Sequence, residues 1–201
     1  TMQSKKLRTY LGLSASVMLL AGNSAWAAQT LEYSIRWSTT DDRYHVYMKP
    51  NATPSPKDMS MTGQVTLRVP HGTGADSFVV DDPQSAVTNT IWSNDSRADA
   101  PTEDATVDYV SFSLTAIKSN AFAWQAGVEK EVFSFRNSAT CLGPVELMDN
   151  TDPFNQLPNS VNTNPGNQFT NLGWGTQADN NYLDNYGTAA DCRASNDTDG
   201  D

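Results

Sequence analysis

Positive charge is scarce in this chain. Its 201 residues include 13 Lys and Arg against 23 Asp and Glu, which gives a formal net charge of −10 at pH 7. A protein that binds nucleic acid needs clustered cations to neutralise the phosphates, and this chain lacks them. The composition therefore excludes nucleic acid as the expected partner.

Long apolar runs and metal-binding side chains are also few. The longest apolar run covers about 11 residues, at 11–21, whereas roughly 20 are needed to cross a bilayer. The sequence holds two cysteines, Cys141 and Cys192, and two histidines, His45 and His71, with no zinc-binding spacing. We expect no transmembrane segment in the mature chain and no zinc site.

Residues 1–27 have the pattern of a secretory signal peptide. Three cations precede the apolar run, and the small-x-small sequence Ala25-Trp26-Ala27 places the expected cleavage before Ala28. The mature protein is therefore expected to be secreted, either extracellular or on the cell surface. Export favours oxidation of thiols, so a disulfide between Cys141 and Cys192 is predicted.

Apolar and polar residues alternate along much of the segment 28–148. Such alternation is typical of half-buried strands, because successive side chains of a strand point to opposite faces. It is clearest at 31–37 and 61–69, and further runs follow at 44–48, 77–80, 107–115, 130–136 and 141–148. Residues that favour turns separate the runs, as at Asp81-Asp82-Pro83 and at 94–102. The pattern predicts an all-β fold, an antiparallel β-sandwich of about seven strands or more, jelly-roll or Ig-like.

The composition changes after Met148. Residues 149–201 hold eight Asp, eleven Asn and a single basic residue, Arg193. Such a stretch cannot build a core of its own, but its aromatic residues can anchor it to the sandwich. We expect a loop-rich segment at 149–192, packed on the sandwich and tethered by the disulfide, with disorder as the alternative. Residues 193–201 are expected to form a flexible acidic tail.

The acid and amide side chains of this segment are candidate calcium ligands. Calcium binds six to eight oxygen atoms from carboxylates, amides and backbone carbonyls. Two groups of closely spaced oxygens qualify, and they contain Asp149, Asn150, Asp152 and Asn155 in the first and Asp179 and Asp184 in the second. The alternative is that these residues form turns and keep the protein soluble.

No catalytic constellation stands out in the sequence. His45 and His71 are the only imidazoles, and neither accompanies a nucleophile motif. Both are interpreted as structural or surface residues, and no enzymatic activity is expected.

Aromatic residues in or near the loops suggest carbohydrate binding as a second function. An exposed aromatic ring can stack on a sugar ring while nearby amides bind hydroxyl groups. The candidate stacking residues are Trp92, Trp124, Trp174 and Tyr182. The alternative is that these rings cover the core of the sandwich.

The first strand of the mature chain suggests self-assembly. Leu31, Tyr33, Ile35 and Trp37 alternate strongly and lie within a few residues of the expected mature N-terminus. A strand at a free end can pair in its own sheet or be donated to the open edge of a neighbour. The sequence leaves both arrangements open.

Several segments resemble known bacterial families. EVFSFRN at 131–137, CLGPVELMDNTDPF at 141–154 and PNSVNTNPGNQ at 158–168 resemble secreted surface modules at the start of long adhesin-type proteins. TGQVTLRVP at 62–70 and YVSFSLT at 109–115 are similar to cohesin-like sandwiches. The resemblance implies a surface or matrix role without enzymatic activity.

These observations together predict a secreted structural or adhesive subunit. Its expected partners are copies of itself, joined as a fibre by N-terminal strand donation, or other components of the surface or matrix. A carbohydrate-binding module that recognises polysaccharide is the alternative. Calcium is the one cofactor expected.

Overall fold

The structure is a computed structural model that describes residues 29–194. The predicted signal peptide at 1–27 and residues 195–201 of the predicted tail lie outside the described residues. Within 29–194, no helix has the length and apolar character required to span a membrane.

Eleven strands account for nearly all the regular structure of this region. They are β1 (Leu31–Ser38), β2 (Arg43–Pro50), β3 (Ser60–Pro70), β4 (Val80–Ser85), β5 (Thr90–Asp99), β6 (Val107–Ile117), β7 (Lys130–Asn137), β8 (Pro144–Leu147), β9 (Gln168–Asn171), β10 (Tyr182–Asn185) and β11 (Ala190–Asp191). Two short 3-10 helices span Gly74–Asp76 and Pro153–Asn155.

The strands form two sheets that pack face to face. The first sheet has the order β10-β1-β2-β7-β4, and the second has the order β11-β8-β3-β6-β5, with β9 also paired to β3. All pairs are antiparallel except β1 with β10, which is parallel. The predicted all-β sandwich is confirmed.

The core lies between the two sheets, as the alternation of apolar and polar residues in the sequence predicts. Inward-facing residues of the first sheet, such as Tyr33 and Val46, face those of the second, such as Leu67 and Phe112, and all four are fully buried. Stacked and tilted aromatic rings fill the middle, with the ring centres of Phe112 and Phe133 4.8 Å apart. Burial of this apolar surface supplies the main stabilising free energy of the fold.

Two segments interpreted as turns belong to strands instead. Asp81-Asp82-Pro83 lies inside β4, and most of 94–102 lies in β5. Both are edge strands, where one side faces solvent and polar residues, proline and β-bulges are tolerated. Bulges interrupt β4 between Asp81 and Gln84 and β5 at two places. The turns predicted at these two positions are therefore wrong. An edge strand is largely exposed to solvent, so its sequence does not need the apolar alternation by which other strands were predicted.

The segment 149–192 packs on the sandwich and adds strands to it. β9 pairs with β3, β10 with β1 and β11 with β8. Phe154, Phe169 and Trp174 are buried and anchor the segment to the sheets. The predicted bond between Cys141 and Cys192 is present, with the two Cα atoms 6.1 Å apart.

The disulfide generates a stability prediction. The bond links residues 51 apart in sequence, and a loop of that length restricts the unfolded chain by about 4 kcal/mol in the chain-entropy model. We expect the double variant Cys141→Ser/Cys192→Ser to lose up to this amount in the free energy of unfolding measured by urea titration. Reduced wild-type protein serves as the control and should match the variant. Two thiols titrating in the denatured, unreduced wild-type protein would contradict the prediction.

Candidate functional site: the asparagine-rich segment and its two cavities

The first group of predicted calcium ligands is divided between different places. Asp149 lines one surface cleft, whereas Asn150 and Asn155 line a separate cavity. Asp152 is only 4% exposed and lies beneath the surface. The four side chains therefore do not surround one point.

Asp152 has a structural role. Its Oδ1 accepts hydrogen bonds from the Tyr109 hydroxyl at 2.8 Å and from the Phe154 backbone N–H at 2.9 Å. Its Oδ2 lies 3.1 Å from Arg68 Nε, an ion-pair distance at which that N–H makes no hydrogen bond. Burial, followed by the hydrogen bond to Asp152, raises the pKa of Tyr109 well above its usual value. These contacts fix the Pro153–Asn155 turn against β6.

Asp149 and Asp184, one from each predicted group, line the same acidic cleft. This cleft of about 420 Å³ is also lined by Glu146 and Arg68. Arg68 already forms ion pairs with Asp104 at 2.6 Å and Glu146 at 3.5 Å, so a protein cation neutralises one side of the cleft. Asp149 Oδ1 accepts from the backbone N–H and the hydroxyl of Thr151, both at 2.7 Å. A calcium ion in the cleft would have to use the remaining carboxylate oxygens.

Asp179 closes a turn and does not line the cleft that contains Asp184. Its Oδ2 accepts from the Thr176 backbone N–H at 2.6 Å. Within residues 29–194, the one group of three Cys, His, Asp or Glu side chains close enough to share a metal is Cys141, Asp191 and Cys192. Both sulfurs of that group are in the disulfide, so neither is a thiolate ligand.

In the loop-rich segment, buried asparagine side chains form hydrogen bonds with backbone groups that have no partner in a sheet. We call this set the asparagine network, and it consists of Asn159, Asn167, Asn171 and Asn181, all buried. Asn167, for example, accepts from the Thr66 backbone N–H at 2.9 Å and donates to the Met148 carbonyl at 2.6 Å. A carboxamide can accept and donate in the same way as a peptide group, and it carries no charge to desolvate. The network therefore gives four of the eleven asparagines at 149–201 a structural role that needs no metal.

A second cavity of about 380 Å³ has walls that are largely made of amides. We call it the amide cavity, and its amide lining consists of Gln64, Asn150, Asn155, Asn164, Asn167, Gln168 and Asn180. Sequence reasoning did not predict this cavity. The signal was available, because residues 153–178 contain no charged residue although the chain as a whole is acidic.

The aromatic residues predicted to stack on sugars lie in the core. Trp92, Trp124, Trp174 and Tyr182 are each no more than 7% exposed. They contact other rings, as in the stacked pair of Trp92 and Phe133 with centres 5.0 Å apart. A sugar ring cannot stack on an enclosed face, so the stacking surface expected at these positions is not formed.

Both histidines contact carboxylates. His45 Nδ1 lies 2.7 Å from Glu131 Oε1, and its Nε2 lies 3.1 Å from Asp41 Oδ2. His71 Nδ1 lies 2.7 Å from Asp108 Oδ1. Asp108 is fully buried and also accepts from Arg97 Nη2 at 2.9 Å. These contacts join strands and loops and are consistent with the structural role expected for both imidazoles.

An exposed apolar loop lies beside the amide cavity. Leu157 is 57% exposed and Val161 is 42% exposed. The loop is held in place from within, because buried Asn159 donates to the carbonyls of Phe154 and Thr163 at 3.1 and 2.9 Å. We call residues 156–164 the pinned loop.

Comparisons with known proteins found no matching family model, no similar curated protein and no similar solved structure. Function must therefore be argued from the geometry of this chain. The features of residues 29–194 that bear on function are the acidic cleft, the amide cavity, the pinned loop and the arrangement of β1.

The asparagine network generates a prediction at Asn171. Its Nδ2 donates to Asp58 Oδ1 at 2.7 Å, and its Oδ1 accepts from the Gly173 backbone N–H at 2.8 Å. We expect Asn171→Ala to reduce the free energy of unfolding by about 2 kcal/mol. Asn171→Asp should cost more, because a second carboxylate then faces Asp58. Exposed Asn164→Asp is the matched control, with an expected change below about 0.5 kcal/mol. Equal stability of the Asp and Ala variants of Asn171 would contradict this account.

The acidic cleft generates a test of the calcium prediction. Calcium that binds the folded protein raises its thermal midpoint, and a chelator reverses the effect. We expect Asp149→Asn/Asp184→Asn to abolish this response in differential scanning calorimetry. Asp95→Asn removes an exposed carboxylate of β5 instead and should leave the response intact. A midpoint that is the same with calcium and with chelator in the wild-type protein would refute calcium binding.

Proposed function

We propose that this protein is a secreted structural or adhesive subunit of the bacterial surface that associates with copies of itself by exchange of β1. The position of β1 carries the proposal. This strand lies close to the expected mature N-terminus and occupies an interior place in its sheet, between β2 and the four-residue strand β10. A subunit that received β1 from a neighbour would recover the same contacts, because the donated strand has the same sequence.

Exchange of β1 would transfer extensive contacts to a neighbouring subunit. Leu31 and Tyr33 are fully buried and Ile35 is nearly so. All eight residues of β1 have partners in β2, in register from Leu31 opposite Pro50 to Ser38 opposite Arg43. Exchange would require the turn at 39–42 to open, after which both the main-chain hydrogen bonds and the apolar contacts would form between chains.

The edge strands β4 and β5 favour exchange of β1 over the pairing of foreign strands at these edges. β4 carries Asp81, Asp82 and Pro83, and β5 has two bulges. Charges, proline and bulges on an edge strand prevent addition of foreign strands. Association through β1 would then be favoured over strand pairing at these two edges.

The pinned loop supports an adhesive role of the same subunit. Exposed apolar side chains on a mobile loop would lose entropy on binding, whereas a loop already fixed by internal hydrogen bonds loses less. Asn159 holds the loop from inside, and Ser160 binds Glu103 through its backbone N–H and hydroxyl, both at 2.6 Å. Leu157 is therefore presented in a defined position for contact with another surface component.

A covalent link between β1 and β2 tests the exchange. Glu32 and Lys49 lie directly opposite each other and form an ion pair at 3.6 Å. The variant Glu32→Cys/Lys49→Cys, oxidised as the monomer at low concentration, should tie β1 into its own chain. We expect wild-type mature protein to form large assemblies in analytical ultracentrifugation and electron microscopy, and the oxidised variant to remain monomeric.

The control variant is Glu32→Ser/Lys49→Ser, which removes the same two charges without forming a link. It should assemble as the wild-type protein does. Assembly of the linked variant to the wild-type extent would refute strand exchange. A wild-type protein that stays monomeric at high concentration would refute the self-assembling subunit itself.

A further inference from the structure

The amide cavity is unusual for an acidic protein because no charged side chain lines it in the described part of the chain. Its walls come from distant parts of the sequence, with Gln64 on β3, Gln168 on β9, Asn155 at the end of the second 3-10 helix and Asn164 in the pinned loop. The volume of about 380 Å³ falls in the range typical of small-ligand sites. Such sites are normally mostly apolar, so this cavity suits a ligand that is itself polar.

The amides divide into those used by the fold and those left over. Both polar atoms of the Asn180 carboxamide form hydrogen bonds within the fold. Its Oδ1 accepts from two backbone N–H groups, and its Nδ2 donates to the Asn167 carbonyl at 3.2 Å. The side chains of Asn155 and Asn164 make no hydrogen bond with the rest of residues 29–194. Two complete carboxamides, each with donors and an acceptor, are therefore free to bind a ligand.

The glutamines add acceptors in fixed positions. Gln64 Nε2 donates to the carbonyls of Asn164 and Gly166, both at 3.1 Å. Gln168 Nε2 donates to the hydroxyls of Thr62 and Thr170, both at 2.7 Å. Each glutamine is held through its nitrogen and keeps its carbonyl oxygen for another donor. Because these side chains are already ordered, a ligand would lose little further side-chain entropy on binding.

The backbone at Gly166 allows the wall to approach closely. Gly166 has a φ of +112°, and a Cβ atom there would lie 2.7 Å from Asn155 Oδ1. A side chain at this position would therefore be strained and would displace Asn155. Glycine thus keeps the free amide of Asn155 at the cavity wall.

We propose that the amide cavity binds a neutral polyhydroxylated ligand, namely a glycan without carboxylate or sulfate groups. Sugar hydroxyls both donate and accept hydrogen bonds, as carboxamides do. The absence of lining charges gives neither anions nor metal ions a counter-charge. This site differs from the buried aromatic positions considered for carbohydrate binding, and it contains no stacking ring. We therefore expect a dissociation constant between about 0.1 and 1 mM for a single site.

The proposal goes beyond the subunit function and does not depend on it. Binding is a property of one chain, although many copies in an assembly would multiply a weak affinity by multivalency. The test therefore uses the linked monomer Glu32→Cys/Lys49→Cys. Its outcome is independent of whether the wild-type protein assembles.

The experiment begins with an array of neutral and acidic oligosaccharides, followed by calorimetry with the best neutral one. We expect saturable binding of a neutral oligosaccharide, with weaker binding of an oligouronate of equal length. The variant Asn155→Ala/Asn164→Ala should bind at least about tenfold more weakly with an unchanged thermal midpoint, since neither side chain contributes a hydrogen bond to the fold. Gln177→Ala, which removes an exposed amide outside the cavity, should bind normally.

Several results would overturn the proposal. A flat array, stronger binding of the acidic glycans, or undiminished affinity of the double variant would each do so. An insoluble polysaccharide of the same sugar is then tested in competition with the free oligosaccharide. Displacement of the protein from the polymer by the oligosaccharide would support binding of both at the amide cavity, and polymer binding that the oligosaccharide and the double variant leave unchanged would contradict it.

Discussion

The loop-rich segment 149–192 depends on one constraint, which is that buried peptide groups must form hydrogen bonds even where no sheet supplies them. The segment covers the sandwich and brings its backbone into the interior. Buried asparagines such as Asn167 and Asn181 provide the missing donors and acceptors. A neutral carboxamide does this without the desolvation penalty of a charge. An otherwise irregular chain can therefore be packed as closely as the strands beneath it.

The same constraint separates the two kinds of polar residue in the segment. Acids remain at the surface, as Asp184 does, or are buried with a cation, as Asp152 is with Arg68. Amides occupy the interior and the walls of the amide cavity. An acidic protein thus contains a cavity with neutral, amide-lined walls. The Asp and Asn side chains of the segment therefore form two chemically different surfaces, one acidic and one neutral.

The proposed assembly and the proposed recognition could coexist in this architecture, because they would use different parts of it. β1 belongs to the first sheet, whereas Gln64 and Gln168 of the amide cavity belong to the strands β3 and β9 of the second. The Cys141–Cys192 bond ties the end of the loop-rich segment to the sandwich. Exchange of β1 between copies would leave that bond, the pinned loop and the cavity within one chain. A surface subunit built in this way could polymerise and still present one intact site per copy.

The sequence by itself determined the all-β class, six of the eleven strands and the cysteine pair, because alternation is a local signal and two cysteines allow a single pairing. It did not determine β4 and β5 correctly, since their edge positions allow polar residues, proline and bulges. It also could not show that Trp92 and Trp174 are core residues or that Asn155 and Asn164 line one cavity. Those facts depend on contacts between distant residues, such as the bond between Thr66 and Asn167, 101 positions apart. Only the tertiary structure decided which amides are used by the fold and which remain free, because the partners of a side chain are set by long-range packing.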